Sequence, residues 1–469
     1  MFGVGQLAKT RRVQSTSLHA GSALLRYSAP TRPNLHPTPM PTLMPTDDLR
    51  SAWHAAFNAV RRHSLRLTDG LSAEDQALQS MPDTSPTKWH LAHTTWFFET
   101  LLLQAHLPGY RPVDARWAAL FNSYYESLGP RHPRPQRGLL SRPSLAEVLA
   151  YRVEVDAAVG RFIAVADAAT WRAAVATLEL GLQHEQQHQE LMLTDILHAF
   201  SLNPLWPAYR SAAADPATRL PALGPADTDP GPPRWIPLDG GAVAIGHDSD
   251  GFGFDNERPR HTQWLVPFAI ASRLVSNADY ADFIADGGYR QPALWLSDGW
   301  ATVQAQGWQA PAYWLPRDGA GFDAAGGRGT DGFEQFTLLG LQAVAPAAPV
   351  CHLSGYEAAA YAAWSGARLP TEAEWEHAAR SHPLQLQHLH GAVWQWTASA
   401  YAPYPGFRPL PGPAAEYNGK FMINQMVLRG SSFATPPGHA RLSYRNFFGP
   451  AARWQFSGLR LARDAGSPS

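Results

Sequence analysis

The chain of 469 residues carries 38 Lys and Arg against 39 Asp and Glu, which gives a formal net charge of -1. It has no basic tract that could bind nucleic acid. Its composition is 45% hydrophobic and only 16% charged, with 17 Trp and 41 Pro, which indicates a loop-rich, aromatic-rich globular protein of two or three domains. The single cysteine excludes intrachain disulfides and thiolate clusters, and no apolar run reaches the ~18 residues that span a membrane.

Residues 1–46 differ from the rest of the chain. They contain several Arg and clusters of Ser, Thr and Pro, have no acidic residue, and lack the apolar core of a secretory signal. We expect a disordered tail, or a chain whose true start is Met40 or Met44; a transit peptide is a third interpretation.

Residues 47–202 follow a helical pattern of apolar spacing and capping residues. The predicted helices run from residue 47 or 48 to 63, from 88 to 101, from 145 to about 167, and from 170 to 200. We expect Ser144 and Thr170 to cap the last two of these helices. Together these helices predict an antiparallel four-helix bundle, a fold in which side chains of facing helices form metal sites in the core.

Two histidines of the last helix form the strongest candidate site. His184 and His188 are four residues apart, so both imidazoles lie on one helix face, where they can share a metal ion. Such a pair is often only polar surface, but this face continues through Leu191 and is not plainly solvated. Glu190 lies about 200° round the helix from His188 and cannot join the pair. Further ligands must therefore come from another segment.

Two other segments carry candidate residues. His93 shares a helix face with Trp89 and Trp96 that must be largely buried. A histidine there is more often a core residue than a ligand. Because a metal bound to His184 and His188 would need further ligands, that pair favours a ligand role for His93. Tyr124 and Tyr125 precede a loop rich in Pro and Arg, and they are either aromatic filler or a phenol-bearing lid over a site.

The second half of the chain has a different character. Residues 203–234 include eight prolines, which indicates a linker. Residues 235–469 contain short apolar runs with many Gly and Trp and few helical patterns. One helix is clear over 354–364, and a second begins at Thr371, which can form a capping box with Glu374.

Several motifs coincide with those of known families. Residues 85–93 (SPTKWHLAH), followed by the 184/188 histidine pair, resemble the DinB-like iron-binding bundle. Segments of the second half resemble the formylglycine-generating-enzyme fold, which is C-type-lectin-like and of the α+β class: 239–246, 256–261, 367–376, 393–397, 428–432 and 458–460. The two domains in this order resemble the ergothioneine-pathway sulfoxide synthases and selenoneine synthase, over about residues 47–465.

The resemblance implies a nonheme iron(II) enzyme whose metal ligands are His93, His184 and His188, with His90 not a ligand. Three neutral imidazoles leave three positions of an octahedral ion open, enough for a thiolate or selenolate, an imidazole and O2. The implied reaction joins sulfur or selenium oxidatively to the imidazole ring of hercynine. Tyr125, with Tyr124 close behind, is the expected proton donor.

The remaining site residues are expected substrate contacts. Gln187 matches a family residue that contacts the substrate imidazole. A trimethylammonium cannot donate hydrogen bonds and needs aromatic faces and an amide oxygen. Those expected to line the betaine pocket are Arg445, Asn446, Phe447 and Phe448. Those expected to contact the donor are Trp394 and Trp396 for a sugar ring, and Arg131, Arg134 and Arg453 for a carboxylate.

The chain departs from the family at residues that bear on the identity of the chalcogen donor. Acidic residues and a cysteine that are usual in the family are absent from 391–396 and 429–433, and residues 447–453, just after Asn446, contain no acid. This disfavours γ-glutamylcysteine. It places a neutral selenosugar ahead of free cysteine by a small margin.

Three other functions compete with this interpretation. A formylglycine-generating oxidase needs two active-site cysteines, and Cys351 is alone. A DinB-type thiol transferase, usually with zinc, would leave the second domain unexplained, and a lectin-like binding module would make the histidines structural. We expect a cytoplasmic enzyme that acts on hercynine, O2 and a selenosugar or cysteine, without nucleic acid or membrane partners.

Overall fold

The computed structural model describes residues 46–210, 231–248, 250–317 and 329–466. The predicted tail therefore lies outside the described residues except for Thr46, and so do residues 211–230 of the predicted linker. Within the described remainder of that linker, Tyr209 is buried and its hydroxyl donates to the carbonyl of Leu67. No helix in the described part of the chain combines the length and apolar character needed to cross a bilayer.

The first half of the protein is a bundle of helices, as the sequence predicts. Its α-helices are α1 Thr46–Arg66, α2 Thr87–Phe97, α3 Gln104–His106, α4 Trp117–Phe121, α5 Leu145–Val165 and α6 Ala168–Ser201. A π-helix, Phe98–Leu103, makes α2 and α3 continuous. Ser144 caps α5 through a capping box, as expected. The cap of α6 is Asp167, not Thr170, because the Asp167 carboxylate accepts the free backbone N–H groups of the first turn.

A buried ion cluster sets the rotation of α6 within the bundle. Glu185 accepts hydrogen bonds from Arg61 of α1 at 2.8 Å and from Arg152 of α5 at 2.5 Å. Burial would raise the pKa of Glu185, but Arg152 and Arg61 lower it to about 2. Because Glu185 is held against α1 and α5, its neighbour His184 is turned towards α2.

Gly181 lets α2 and α6 approach closely one turn before His184. A Cβ atom at this position would lie 2.5 Å from the ring of Phe98, inside any real carbon–carbon contact. A glycine within a helix costs roughly 0.5–1 kcal/mol relative to alanine. The close contact with the aromatic rings of the facing helix accounts for glycine here.

The second half is an α+β domain of small sheets. Its strands are β1 Trp235–Leu238, β2 Gly241–Ile245, β3 His261–Leu265, β4 Phe268–Ala271, β5 Trp314–Pro316, β6 Phe333–Thr337, β7 Gly340–Ala343, β8 Trp394–Ala400, β9 Met426–Gly430, β10 Asn446–Phe448, β11 Ser457–Leu459 and β12 Ala462–Asp464. The strand orders are β1-β4-β12, β2-β3, β5-β6-β7 and β10-β9-β8-β11. Only the β8–β11 pair among these is parallel.

Three of the four described α-helices of this domain begin with a capping box. The four helices are α7 Asn277–Ala285, α8 Ser297–Gln306, α9 Gly355–Trp364 and α10 Glu372–Ser381. The predicted capping box of Thr371 and Glu374 opens α10, and Ser354 with Glu357 opens α9 in the same way. The predicted fold class, a helical bundle followed by an α+β domain, is confirmed.

The second domain packs on α6 through buried polar contacts. Glu190 accepts from the indole N–H of Trp394 in β8 at 2.8 Å, and from the hydroxyls of Ser432 and Thr435. Burial raises the pKa of Glu190, and these hydrogen bonds oppose that rise. The helix that carries the two spaced histidines is therefore also the helix on which the second domain is seated.

Candidate metal centre

Three histidines from two helices meet in the bundle core. His93 comes from α2, and His184 and His188 come from α6. One ring nitrogen from each lies within 4.8 Å of the others, and the Nε2 atoms of His93 and His184 are 3.2 Å apart. All three rings are at least nine-tenths buried. The arrangement brings together the three ligands that the resemblance implies.

The surroundings of His93 leave one of its nitrogens free for a metal. Its Nδ1 donates to the backbone carbonyl of Phe121 at 2.6 Å, which leaves Nε2 as an acceptor facing His184. Trp89 and Trp96 stack on the ring with centroid distances of 4.7 and 5.5 Å. Hydrogen bonding and stacking together hold the ring in place.

All three imidazoles are neutral at ordinary pH. Burial lowers the pKa of His184 to about 3. Burial, and then the neighbouring histidines, hold the pKa values of His93 and His188 well below the usual range. Metal ligands must be deprotonated, so a buried and neutral trio with converging nitrogens fits a divalent transition metal.

His90 lies outside this trio, but it contacts one of its members and an acidic residue. Its Nδ1 is 2.8 Å from Nδ1 of His188, and its Nε2 is 3.0 Å from the carboxylate of Asp195. The sequence identified His90 as a non-ligand and offered no role for it. The sequence could have indicated its contact with His188 only if α2 had been packed against Asp195, which lies seven residues beyond His188 on α6.

A cavity of about 400 Å³ opens beside the histidines, between the bundle and the second domain. His184 and His188 contribute to its wall. The predicted site residues that line it are Tyr124, Arg131, Arg134, Gln187, Trp394, Asn446, Phe447 and Phe448. Residues separated by more than 300 positions in sequence are thus brought to one cavity.

The predicted proton donor Tyr125 and the predicted sugar contact Trp396 do not line the cavity. Tyr125 has no exposed surface and lies beneath Tyr124, with ring centroids 4.6 Å apart. Trp396 is also fully buried, and its indole N–H donates to the carbonyl of Leu353 at 2.8 Å. Trp394 and Trp396 are two residues apart in β8 and point to the same face of the strand, but only Trp394 reaches the cavity.

Two predicted arginine contacts are also placed elsewhere. Arg445 is buried, and its guanidinium forms a bidentate ion pair with Glu372 at 2.8 and 2.9 Å. Arg453 pairs with Glu357 at 3.0 Å, and its guanidinium lies over the ring of Trp308. Each cation already has an acid within the second domain, which accounts for its position away from the cavity.

Gln187 is held by two tyrosines that sequence reasoning missed. Its amide nitrogen donates to the hydroxyl of Tyr444 at 2.7 Å, and its amide oxygen accepts from Tyr417. The ring of Tyr417 is 5.7 Å from that of His184 and stacks on Phe254. These partners lie more than 200 residues away in sequence, so no local spacing identifies them.

Arg137 is a further lining residue that the sequence did not single out. It is 3% exposed, lies 3.4 Å above the Trp89 ring, and donates to the hydroxyls of Ser85 and Ser123. Burial, and then Arg134, lowers its pKa to about 8. Its hydrogen bonds within the described chain go to neutral oxygens only, and Asp195 acts on it only as a nearby charge, so a buried cation faces the cavity without a directly bonded carboxylate.

Comparisons with known proteins agree with the two-domain architecture. Residues 222–382 and 380–465 match the family described as a sulfatase-modifying factor enzyme 1-like domain, and residues 56–192 match the DinB superfamily. The chain is 32% identical to a hercynine oxygenase of Mycolicibacterium smegmatis, covering 86% of this chain and 96% of that protein. Hercynine oxygenases of Mycolicibacterium thermoresistibile and Mycobacterium tuberculosis are 31% and 30% identical over the same share of this chain, and over 93% and 96% of their own lengths.

Proposed function

Because the chain belongs to the family of the hercynine oxygenases, we propose that it is an iron(II)- and O2-dependent enzyme that joins sulfur or selenium to the imidazole ring of hercynine. The observation that carries the proposal is the neutral trio of His93, His184 and His188 beside a cavity of about 400 Å³. Iron suits an all-imidazole site that must react with O2, whereas zinc has no redox chemistry.

The imidazole of hercynine is oriented by Gln187. Tyr444 and Tyr417 occupy one donor and the acceptor oxygen of this amide, so the second amide hydrogen remains for a ring nitrogen of the substrate. Because Gln187 is adjacent to His188 on α6, the substrate ring is brought close to the metal ligands. The two tyrosines thus act on the substrate through the amide.

The betaine end of hercynine fits the strand β10. Phe447, which stacks on Tyr401 on one side, and Phe448 line the cavity with aromatic rings, and Asn446 adds an amide oxygen. A quaternary ammonium is attracted to the faces of such rings, because it is a cation that has no N–H group with which to donate a hydrogen bond. Arg445, which comes directly before them, supports this segment through Glu372 and does not contact the substrate.

Tyr124 is the proton donor in this proposal, in place of the more deeply buried Tyr125. Burial raises the pKa of Tyr124 far above neutrality, so the phenol stays protonated until a stronger base forms beside it. Tyr124 lines the cavity, and Tyr125 supports it from below through the stacked rings. In a cavity with few acids, this phenol is the best-placed proton source.

The chalcogen donor is a selenosugar or cysteine, and different observations favour each. The loss of acids from 391–396 favours a neutral selenosugar, and Trp394 offers a ring for stacking. However, Gln395 is fully buried against Trp375 and Arg460, so that particular change lies in the core. Arg137 favours cysteine, because the carboxylate of cysteine would neutralise the buried guanidinium.

Oxygen uptake by the iron-loaded protein tests the proposed function. Purified protein loaded with iron(II) should consume O2 when hercynine and a thiol or selenol donor are present together, and the zinc-loaded protein should not. A metal-dependent thiol transferase would work equally well with zinc and without O2. A binding module would bind hercynine without consuming O2, and either result would reject the proposal.

A competition experiment identifies the donor. The iron-loaded protein is given hercynine, O2, cysteine, γ-glutamylcysteine and a reduced 1-seleno-sugar together, and the conjugates are separated by mass spectrometry. A selenium-carrying conjugate supports the selenosugar assignment. A conjugate that contains only cysteine sulfur rejects it and supports the assignment from Arg137.

A further inference from the structure

The buried pair His90 and Asp195 forms a chain of hydrogen bonds that ends on a proposed metal ligand. The Asp195 carboxylate is 3.0 Å from Nε2 of His90, and Nδ1 of His90 is 2.8 Å from Nδ1 of His188. His90 and Asp195 are 3% and 6% exposed. Neither residue belongs to the trio of converging nitrogens.

We propose that His90 and Asp195 are positioning residues that fix the ring orientation and tautomer of His188, so that its Nε2 faces the metal. An ionised carboxylate only accepts, so Nε2 of His90 carries the hydrogen. With that hydrogen on Nε2, Nδ1 of His90 is the acceptor, and Nδ1 of His188 donates to it. Nε2 of His188 is left with the lone pair that a metal requires.

The far end of the chain is itself fixed. The same oxygen of Asp195 accepts the backbone N–H of Ser85 at 2.8 Å, and its other oxygen accepts from Thr194 at 3.2 Å. Ser85 lies just before α2, which carries both His90 and His93, while Asp195 belongs to α6. This chain of hydrogen bonds, the His90–Asp195 relay, therefore ties the two ligand-bearing helices together at the wall of the cavity, which both residues line.

The three ligands are supported by different means. His93 is oriented by the backbone carbonyl of Phe121, which does not depend on a side chain. Nδ1 of His184 is buried and has no hydrogen-bond partner among the described residues. His188 is the ligand whose orientation depends on two replaceable side chains, which makes the relay testable by substitution.

The test measures binding of the metal alone, because the inference rests on the proposed metal centre but not on the reaction. Iron(II) affinity is measured by competition with a chelator, and the visible spectrum of the cobalt(II)-loaded protein reports the ligand field. His90→Phe keeps a ring but removes the acceptor, and Asp195→Leu removes the group that orients His90. Loss of a partner of this kind typically costs about 10- to 100-fold in metal affinity, and we expect that loss with an altered cobalt spectrum.

Two further variants separate positioning from general damage. His90→Gln restores an acceptor to Nδ1 of His188 and should recover most of the affinity. His198→Phe is the matched control, because His198 lies on the same helix, half-buried against Ser80, and does not contact the trio. It should bind metal as the wild type does.

A double substitution isolates the route through His188. In a His188→Ala background, His90→Phe should cause no further loss of metal affinity, since the ligand that it orients is absent. If His90→Phe does not fold, Asp195→Asn remains measurable, because its amide oxygen can replace the carboxylate oxygen. It should retain a wild-type cobalt spectrum with a smaller loss of affinity.

The outcomes distinguish this inference from the proposed function. Folded His90→Phe and Asp195→Leu variants with wild-type metal affinity and spectrum would overturn the relay while leaving the proposed function intact. A wild-type protein that binds neither iron nor cobalt would reject the metal centre, and the relay with it. Reduced affinity with rescue by His90→Gln supports the inference whichever donor the enzyme uses.

Discussion

Two buried groups of charged and polar side chains lie along α6, and they differ in how completely the protein satisfies them. Around Glu185, two arginines and Ser64 supply every hydrogen bond that the carboxylate needs, and Arg61 is shared with Asp156. Around His184, one ring nitrogen has no partner, and the nearby Arg137 has no acid. The Nε of Arg152 also lacks a partner, but it lies within the ion cluster, whereas His184 and Arg137 line the cavity, where ligands can complete their hydrogen bonding.

This contrast separates stability from chemistry on a single helix. Glu185 and His184 are adjacent in sequence and equally buried, yet one is closed off by side chains from α1 and α5 and the other opens on the cavity. Substitutions in the first group should lower the free energy of unfolding. Substitutions in the second should change metal binding or turnover and leave the helices folded.

The largest expected effect is the loss of a metal ligand. His188→Ala should abolish oxygen-dependent product formation, because two imidazoles cannot hold the metal in the geometry of three. Circular dichroism should show an unchanged helical content. Full turnover in His188→Ala would break the assignment of the trio.

The ion cluster should show the opposite pattern. Glu185→Gln leaves Arg61 and Arg152 buried without their shared charge, and breaking such a pair costs about 3–5 kcal/mol of unfolding free energy. Chemical denaturation measures the difference. Any residual folded protein should still bind iron(II) with an affinity close to that of the wild type.

The pH dependence of that difference follows from the sign of the pKa shift. The pKa of Glu185 is lowered to about 2 in the folded state, below its usual value, so its contribution is present near neutral pH and is lost as the pH falls towards 2. The gap in stability between wild type and Glu185→Gln should therefore narrow below about pH 4.5. A gap that is constant across this range would assign the destabilisation to shape and not to charge.

Helical spacing, which is local information, predicted the pair of His184 and His188, and the resemblance of the motif around His93 to the DinB-like bundle supplied the third ligand. His184 and His188 are related by one helical turn, and the motif around His93 lies within a few residues. The tyrosines that hold Gln187 could not be predicted in this way, because Tyr417 and Tyr444 reach it from loops and turns of another domain. Arg445 and Arg453 were misplaced for the related reason that their acids, Glu372 and Glu357, are distant in sequence.

The paired tyrosines offer a comparison inside the site. Tyr124→Phe removes the phenol at the cavity and should slow formation of the new bond by about 100-fold, the usual lower size of a general-acid contribution. Oxygen consumption should then exceed product formation. Tyr125→Phe, one residue away and fully buried, is the matched control and should retain the product ratio of the wild type. Equal effects of the two substitutions would make the pair a packing feature.

Arg137 tests whether an unpaired cation marks a carboxylate subsite. Arg137→Gln should raise the KM for cysteine by roughly 10-fold or more, the value of a hydrogen bond to a charged group. The KM for a selenosugar should not change, because it has no carboxylate to lose. An increase in the KM for hercynine alone would assign the guanidinium to the other substrate.

The smallest expected effect is at Arg131, which lines the same cavity but already has an acid. Its guanidinium pairs with Glu126 at 2.7 Å, and both side chains are well exposed to solvent. Exposed ion pairs of this kind contribute about 0–1 kcal/mol. Arg131→Ala should therefore change the KM of either donor by no more than about 5-fold, since water already screens the charge. Measured beside Arg137→Gln under the same salt conditions, Arg131→Ala shows whether burial without a partner, and not positive charge at the cavity, selects the donor. If Arg131→Ala has the larger effect on KM, the exposed loop binds the carboxylate and Arg137 serves only to hold Trp89 in place.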